Sequence, residues 1–227
     1  IFEWCTAAGK TFGALACIQN FHKEVNNGCI VILCPGIDLV KQWKEEAAKF
    51  GYNSTLIVSS DADVDWTEEI DDYLENLYDT NSIIIVTFDT FTSDYFRNRI
   101  KAAYRKGNYG FLICDEVHGM GTELRQKALK EIKEFFHFRL GLSATLERED
   151  DPNGTKFILD YFGGVISEYP ISQGIEEKRL CKYNYYPIPI RLDGEESINY
   201  WNVLLNEQHN MTQGNRSKRN FLARSDS

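Results

Sequence analysis

This 227-residue chain has no Cys-x-x-Cys pair, no uninterrupted apolar run of 18 residues and no surplus of basic side chains. Its six cysteines, at 5, 17, 29, 34, 114 and 181, mostly lie inside apolar runs such as CIVILC and FLIC. That placement describes buried free thiols and a reducing, intracellular (cytoplasmic) compartment. The longest apolar stretches, such as Cys29 to Cys34, are strand-sized, so a membrane-spanning helix and a membrane partner are excluded. Prolines number only 5 against 16 glycines, with 43% hydrophobic and 26% charged residues, which rules out disordered and collagen-like classes. Neither an initiating methionine nor a signal peptide is visible, and a chain opening Ile1-Phe2-Glu3 is expected to be an excised or partial fragment. Four N-x-[ST] triplets, beginning at Asn53, Asn153, Asn210 and Asn215, are set aside, since such triplets arise easily by chance.

The net charge of −9 argues at first against a nucleic-acid partner. Its location changes that argument. Between Asp61 and Asp79 stand nine acidic residues and no Lys or Arg, so the rest of the chain sums to zero. Within this segment Trp66, Ile70, Tyr73, Leu74 and Leu77 recur at helical spacing, which predicts an amphipathic helix with an acidic, solvated outer face.

Apolar, β-rich runs at 30–33, 56–58, 83–86, 111–114 and 138–142 alternate with helical periodicity at about 12–25, 38–50, 66–79, 93–106 and 122–136. Strand and helix in alternation require parallel pairing through crossovers, and strands this continuously apolar need cover on both faces. The expected fold is therefore α/β, a doubly wound, mainly parallel sheet, spanning 1–192. Beyond Thr145 comes a polar loop, LEREDDPNG, then an edge strand or extended connector from Tyr185 to Ile190 carrying Pro187 and Pro189. The stretch 193–227, helical around 195–208 and then polar and basic, is expected to be a linker.

Three places carry chemistry. Ile1-Phe2-Glu3 has the look of a strand remnant leading into Cys5-Thr6-Ala7-Ala8-Gly9-Lys10-Thr11, after which a helix begins. Strand, tight Gly-Lys-Thr loop and helix N-terminus form a phosphate-binding arrangement. In it, N–H groups from about Ala8 to Phe12 surround a β-phosphate, Lys10 reaches the β and γ oxygens, and the Thr11 hydroxyl ligates Mg²⁺. Trp4 stands where the full G-x-x-x-x-G-K-[ST] pattern has its first glycine. Asp115-Glu116-Val117-His118 follows directly on the strand FLIC, and an open α/β sheet binds ligands beyond the carboxyl ends of its strands. Asp115 is then the Mg²⁺-side carboxylate and Glu116 the general base for water; the plain alternative is an acidic pair capping a strand end. Gly141-Leu142-Ser143-Ala144-Thr145 also ends a strand, where small hydroxyls can bond to the neighbouring carboxylates and sense a γ-phosphate.

With these elements in this order, the chain resembles the first RecA-like motor domain of superfamily 2 helicases and translocases. CTAAGKT is similar to motif I, ILCPGIDLVKQW to motif Ia, VTFDTF to motif Ib, DEVH to motif II and GLSATL to motif III. The continuation GLSATLERED and the stretch from Tyr169 to Ile190 most resemble XPB/UvrW repair helicases and type III restriction-type res subunits. The resemblance implies a P-loop ATPase domain that binds ATP with Mg²⁺ through Thr6, Ala7, Ala8, Gly9, Lys10, Thr11 and Phe12, with Asp115 as a second magnesium residue. It implies Lys10, Asp115 and Glu116 as catalytic residues and His118, Ser143 and Thr145 as coupling residues. It also implies DNA contacts by Pro35, Gly36, Thr87 and Thr90, and a second RecA-like domain in the same polypeptide. Positive charge from Arg97, Arg99, Lys101, Arg105 and Lys106 could add to the DNA track, though the plainer reading of these residues is a solvated helix face. The chain departs from the pattern at Ala7, where relatives usually carry glycine, and it lacks both the adenine-reading Q motif and the arginine-bearing motif VI. A nucleotide-binding switch or degenerate module without translocation therefore stays open beside the motor.

Overall fold

The run GCIVILC folds as a strand inside the sheet whose seven residues are all buried. The computed structural model describes residues 1–25, 28–60, 65–75, 82–103, 109–148, 151–189, 191 and 193–212. Of the positions read from sequence, Arg105, Lys106, Glu149, Asp150, Ile190, residues 61–64 and 76–79 of the acidic segment, and the tail beyond 212 lie outside these. The strands are β1 (Phe2–Trp4), β2 (Gly28–Cys34), β3 (Thr55–Val58), β4 (Ile83–Thr87), β5 (Tyr109–Cys114), β6 (Phe138–Ser143) and β7 (Ser167–Tyr169), in the sheet order β3-β4-β2-β5-β6-β1-β7. Every pairing is parallel.

Alternation along each strand divides the core into two. Ile30, Ile32, Ile83, Ile85 and Ile113 pack with Leu15 and Ile18 of α1 (Lys10–Glu24) and with Val40, Trp43 and Ala47 of α2 (Ile37–Lys49). Val31, Leu33, Ile84, Val86 and Leu112 face the other way, against α3 (Trp66–Glu75), α5 (Asp94–Ala103), α6 (Glu123–Glu131) and α7 (Pro152–Phe162). The sheet is thus covered on both faces, as strands with no polar face require.

Some elements differ from the sequence expectation. A short α4 (Phe88–Phe91) precedes α5, and the helix predicted over 122–136 ends at Glu131, followed by a single 3-10 turn at Lys133–Phe135. Residues 181–189 belong to no strand, so the proline-bearing segment is a connector, and the edge next to β1 is taken instead by β7. Three residues, Ser-Glu-Tyr, are too few and too polar to announce that strand. The chain divides into a unit Ile1–Lys182, which contains α8 (Ile171–Glu176), and a second unit Tyr183–Ser227, which contains α9 (Gly194–Thr212).

The basic helix α5 requires a correction. Arg97 is buried, donating to Glu131 at 3.0 Å and Asp94 at 2.5 Å, and Arg99 pairs with Asp71 of the acidic helix at 2.7 Å. Lys101 lies 3.4 Å from Glu131. Among the described residues, the charges of Arg97, Arg99 and Lys101 that the sequence offered to a phosphate track are paired with carboxylates of α5 itself (Asp94), α3 (Asp71) and α6 (Glu131).

Candidate functional site

In a parallel sheet every strand ends on the same edge, and the helix that follows begins there. The loop after β1 therefore delivers the N-terminus of α1 to the carboxyl edge, and α1 then packs on β2 and β6, the two strands flanking β5. Asp115 follows directly on β5, so Lys10, Thr11, Asp115 and Glu116 come to one edge of the sheet.

The loop Thr6–Gly9 is shaped by left-handed backbone. Ala7 has φ 63° and Gly9 φ 90°, and an alanine in that region is strained. The Ala8 N–H closes the turn on Cys5 O at 3.2 Å. Beyond it, the first turn of α1 has its usual unpaired donors at Lys10, Thr11 and Phe12; Gly9 offers no side-chain cap and no acidic residue lies in that turn. The Lys10 ammonium donates to the carbonyl of Trp4 at 3.0 Å and reaches that of Cys5 at 3.5 Å. Its charge rests on the end of β1, from where an anion at the helix terminus can draw it away. A shallow cleft of about 170 Å³ opens beside Ala8, lined also by Trp4, Ser167, Glu168, Tyr169 and Arg179.

Asp115 is 7% exposed, and its N–H donates to Leu33 O at 2.9 Å, prolonging the β2–β5 ladder by one bond. Its Oδ1 accepts from the N–H of Glu116 at 3.0 Å. Glu116 itself takes φ 47°, which lifts its side chain out of strand alternation and permits two adjacent acids to serve one edge. His118 Nδ1 lies 3.4 Å from Glu116 Oε2 and 3.0 Å from Ser143 Oγ. Ser143, fully buried, donates to Thr145 O at 2.5 Å and receives the Thr145 N–H at 3.3 Å. The hydroxyl of β6 thus meets the carboxylate loop through His118 rather than directly, and Thr145 takes part through its backbone. The thiols of Cys34 and Cys114 beside this edge are pushed well up, by burial first and by the Asp115 charge second.

The fold of this edge has solved counterparts, and its sequence has curated ones. The family described as Type III restriction enzyme, res subunit, matches residues 1–148. The chain belongs to this family. Similar to this res-family chain is the general transcription and DNA repair factor IIH helicase/translocase subunit XPB of Antonospora locustae, 30% identical over 151 residues, 63% of the chain and 19% of the relative. The DNA 3'-5' translocase XPB2 of Sulfurisphaera tokodaii is 28% identical over 198 residues, 86% of the chain and 37% of the relative. The Hef helicase domain of Pyrococcus furiosus shares the fold at TM-score 0.58 and 16% identity, over 82% of the chain and 37% of that structure. The architecture is the RecA-like α/β fold of a superfamily 2 helicase's first motor domain, and the chain spans well under half of each relative's length.

On the remaining predicted positions the structure is specific. Pro35 is exposed, and Gly36 is the residue before α2, with open space where a side chain would be. Thr87 and Thr90 are buried and their hydroxyls bond each other at 3.0 Å, so they brace the turn into α4. Sequence reasoning missed three residues. Trp43 donates its indole N–H to Asp115 Oδ2 at 2.8 Å. Arg148 donates to His118 O at 2.6 Å and to Asp151 at 3.1 Å, tying the loop after β6 to the turn after β5. Glu3 Oε1 accepts the Leu146 N–H at 3.3 Å. For Trp43 a signal existed: a tryptophan on an apolar stripe still has to place its N–H.

Proposed function

We propose that this res-family chain is the ATP-binding half of a motor that hydrolyses ATP to move along or remodel DNA, in repair or restriction. The observation that carries the reading is the convergence at one sheet edge of the uncapped α1 terminus and Lys10 with Asp115 and Glu116, joined to β6 through His118 and Ser143. Thr6 to Phe12 would hold the triphosphate, with donors from α1 and the Lys10 charge on the β and γ oxygens. The Thr11 hydroxyl and the Asp115 carboxylate form an all-oxygen donor set, which suits Mg²⁺. Bound there, that ion would offset the negative charge that develops on the phosphate oxygens. Glu116 accepts a proton from the attacking water, and His118, Ser143 and Thr145 carry the change at its carboxylate towards the strand β6. Pro35 and Gly36 before α2, and the turn braced by Thr87 and Thr90, would touch the DNA backbone. Arginines from a second RecA-like domain of the same polypeptide would complete the site. No described helix is long and apolar enough to cross a membrane, and the buried free thiols suit a reducing compartment inside the cell.

Nucleotide binding and turnover by two variants test these roles. Lys10→Ala should abolish ATP binding, because it removes the charge that meets the phosphates. Glu116→Gln should leave binding intact and stop hydrolysis in the whole protein. Equal loss of affinity in both would overturn the assignment.

A further inference from the structure

Asp115 is held from two sides. Its Oδ1 accepts the Glu116 N–H at 3.0 Å and its Oδ2 the Trp43 indole N–H at 2.8 Å. Trp43 is 1% exposed, so little water reaches that bond, and hydrogen bonds to charged groups are stronger than neutral ones. The other buried residues of α2, Val40 and Ala47, are apolar, so a polar atom on this face is not demanded by packing. A phenylalanine at 43 would fill most of the same space without the donor. The carboxylate can turn about its Cβ–Cγ bond only by giving up one of its two partners.

We propose that Trp43 is a positioning residue of the nucleotide site, its indole N–H fixing the rotation of the Asp115 carboxylate so that the remaining lone pairs face the magnesium position shared with Thr11. A carboxylate offers about four lone-pair directions, and here the protein occupies two. Outer partners of a ligating carboxylate set its direction, and their loss typically costs 10–100-fold in metal affinity. The inference rests on the ATP reading above.

Binding of a fluorescent ADP analogue to the 227-residue chain, titrated with Mg²⁺ and separately in EDTA, tests it. Trp43→Phe should weaken the Mg²⁺ arm about tenfold and leave the EDTA arm unchanged, since Lys10 and the loop donors still meet the phosphates. Equal weakening in both arms, or unchanged Mg²⁺ dependence with only a lower melting temperature, would assign Trp43 to packing alone and overturn the proposal. A second measurement leaves Trp43 in place. The chain has 4 tryptophans, so the Trp43 indole N–H resonance is assigned as the one that persists in Trp4→Phe, Trp66→Phe and Trp201→Phe. It should move when Mg²⁺ joins bound nucleotide and stay in place with nucleotide in EDTA; a resonance indifferent to Mg²⁺ refutes the role. If the native chain bound no nucleotide in either arm, the ATP reading would fall and this inference with it. Native binding with identical Mg²⁺ dependence in the variant would remove the Trp43 role only.

Discussion

Ala7 and His22 show what single side chains cost or contribute in this molecule. At φ 63° the Ala7 Cβ crowds its own backbone, while glycine accepts the same conformation freely. Ala7→Gly should therefore stabilise the chain by about 1 kcal/mol in urea denaturation. Gly9→Ala, at φ 90°, should destabilise it by a similar amount. His22 lies in the last turn of α1, its Nδ1 3.2 Å from the Tyr52 hydroxyl and its Nε2 buried without a hydrogen-bond partner among the described residues. Burial lowers its pKa below the ordinary 6.5. The folded state then binds the proton less readily than the unfolded chain, so His22 leaves stability undiminished above pH 6.5 and erodes it as pH falls from there to the folded pKa. Melting temperatures across pH 7.5 to 5 should fall less steeply in His22→Phe than in the native chain. Parallel profiles would show that His22 stays equally easy to protonate in both states.

Gly110 shows a constraint that belongs to a pair of elements. A Cβ on this residue of β5 would stand 2.1 Å from Phe135 O, so the turn that follows α6 rests directly on strand backbone. Gly110→Ala has to push that turn away and should cost about 1–3 kcal/mol by chemical denaturation, with the m-value unchanged. At this scale much of the fold was legible. β2, β4 and β5 are largely apolar runs between helical periodicities, and a buried parallel sheet has few other ways to look. That Lys10, Thr11, Asp115 and Glu116 share one sheet edge was legible for a related reason, since each stands in or next to a turn that follows a strand. What escaped was whatever depends on distant partners. Trp43 meets Asp115 across 72 residues and Glu3 meets Leu146 across 143, and no local pattern encodes such pairs. Arg97 failed in the opposite direction. It belongs to a basic run that looks solvated, yet Glu131 and Asp94 draw it inward. The α2 helix joins the two kinds of residue: it starts just after Gly36, the proposed DNA contact, and carries Trp43 to Asp115 about two turns later.

For the whole molecule, these pairings predict that the proposed DNA interaction is weak, with a shallow salt dependence. A motor half that relied on α5 would present several cations, but Arg97, Arg99 and Lys101 are matched by Asp94, Asp71 and Glu131, and the chain carries a net charge of −9. Among the described residues of the proposed track, what is left to a DNA backbone is chiefly the N–H groups where α2 begins, which bind phosphate without distinguishing bases. Each neutralised phosphate contributes a slope of about −0.7 to log K against log salt for a single strand. The 227-residue chain should therefore bind single-stranded DNA weakly, with a slope of only about −1 to −2 and no sequence preference in fluorescence anisotropy. Gly36→Asp should weaken it further, because a carboxylate would stand where phosphate is proposed to lie and the space there is open enough to accept it without disturbing the fold. Asp71→Asn should act in the other direction. It frees Arg99 from its ion pair and lowers the acidic field of α3, so affinity should rise and the slope steepen. If Asp71→Asn changed nothing while Gly36→Asp did, the track would run along α2 alone. A steep native slope with base preference would mean that DNA meets a different face of the sheet edge, and the proposed contacts at Gly36 would have to be given up.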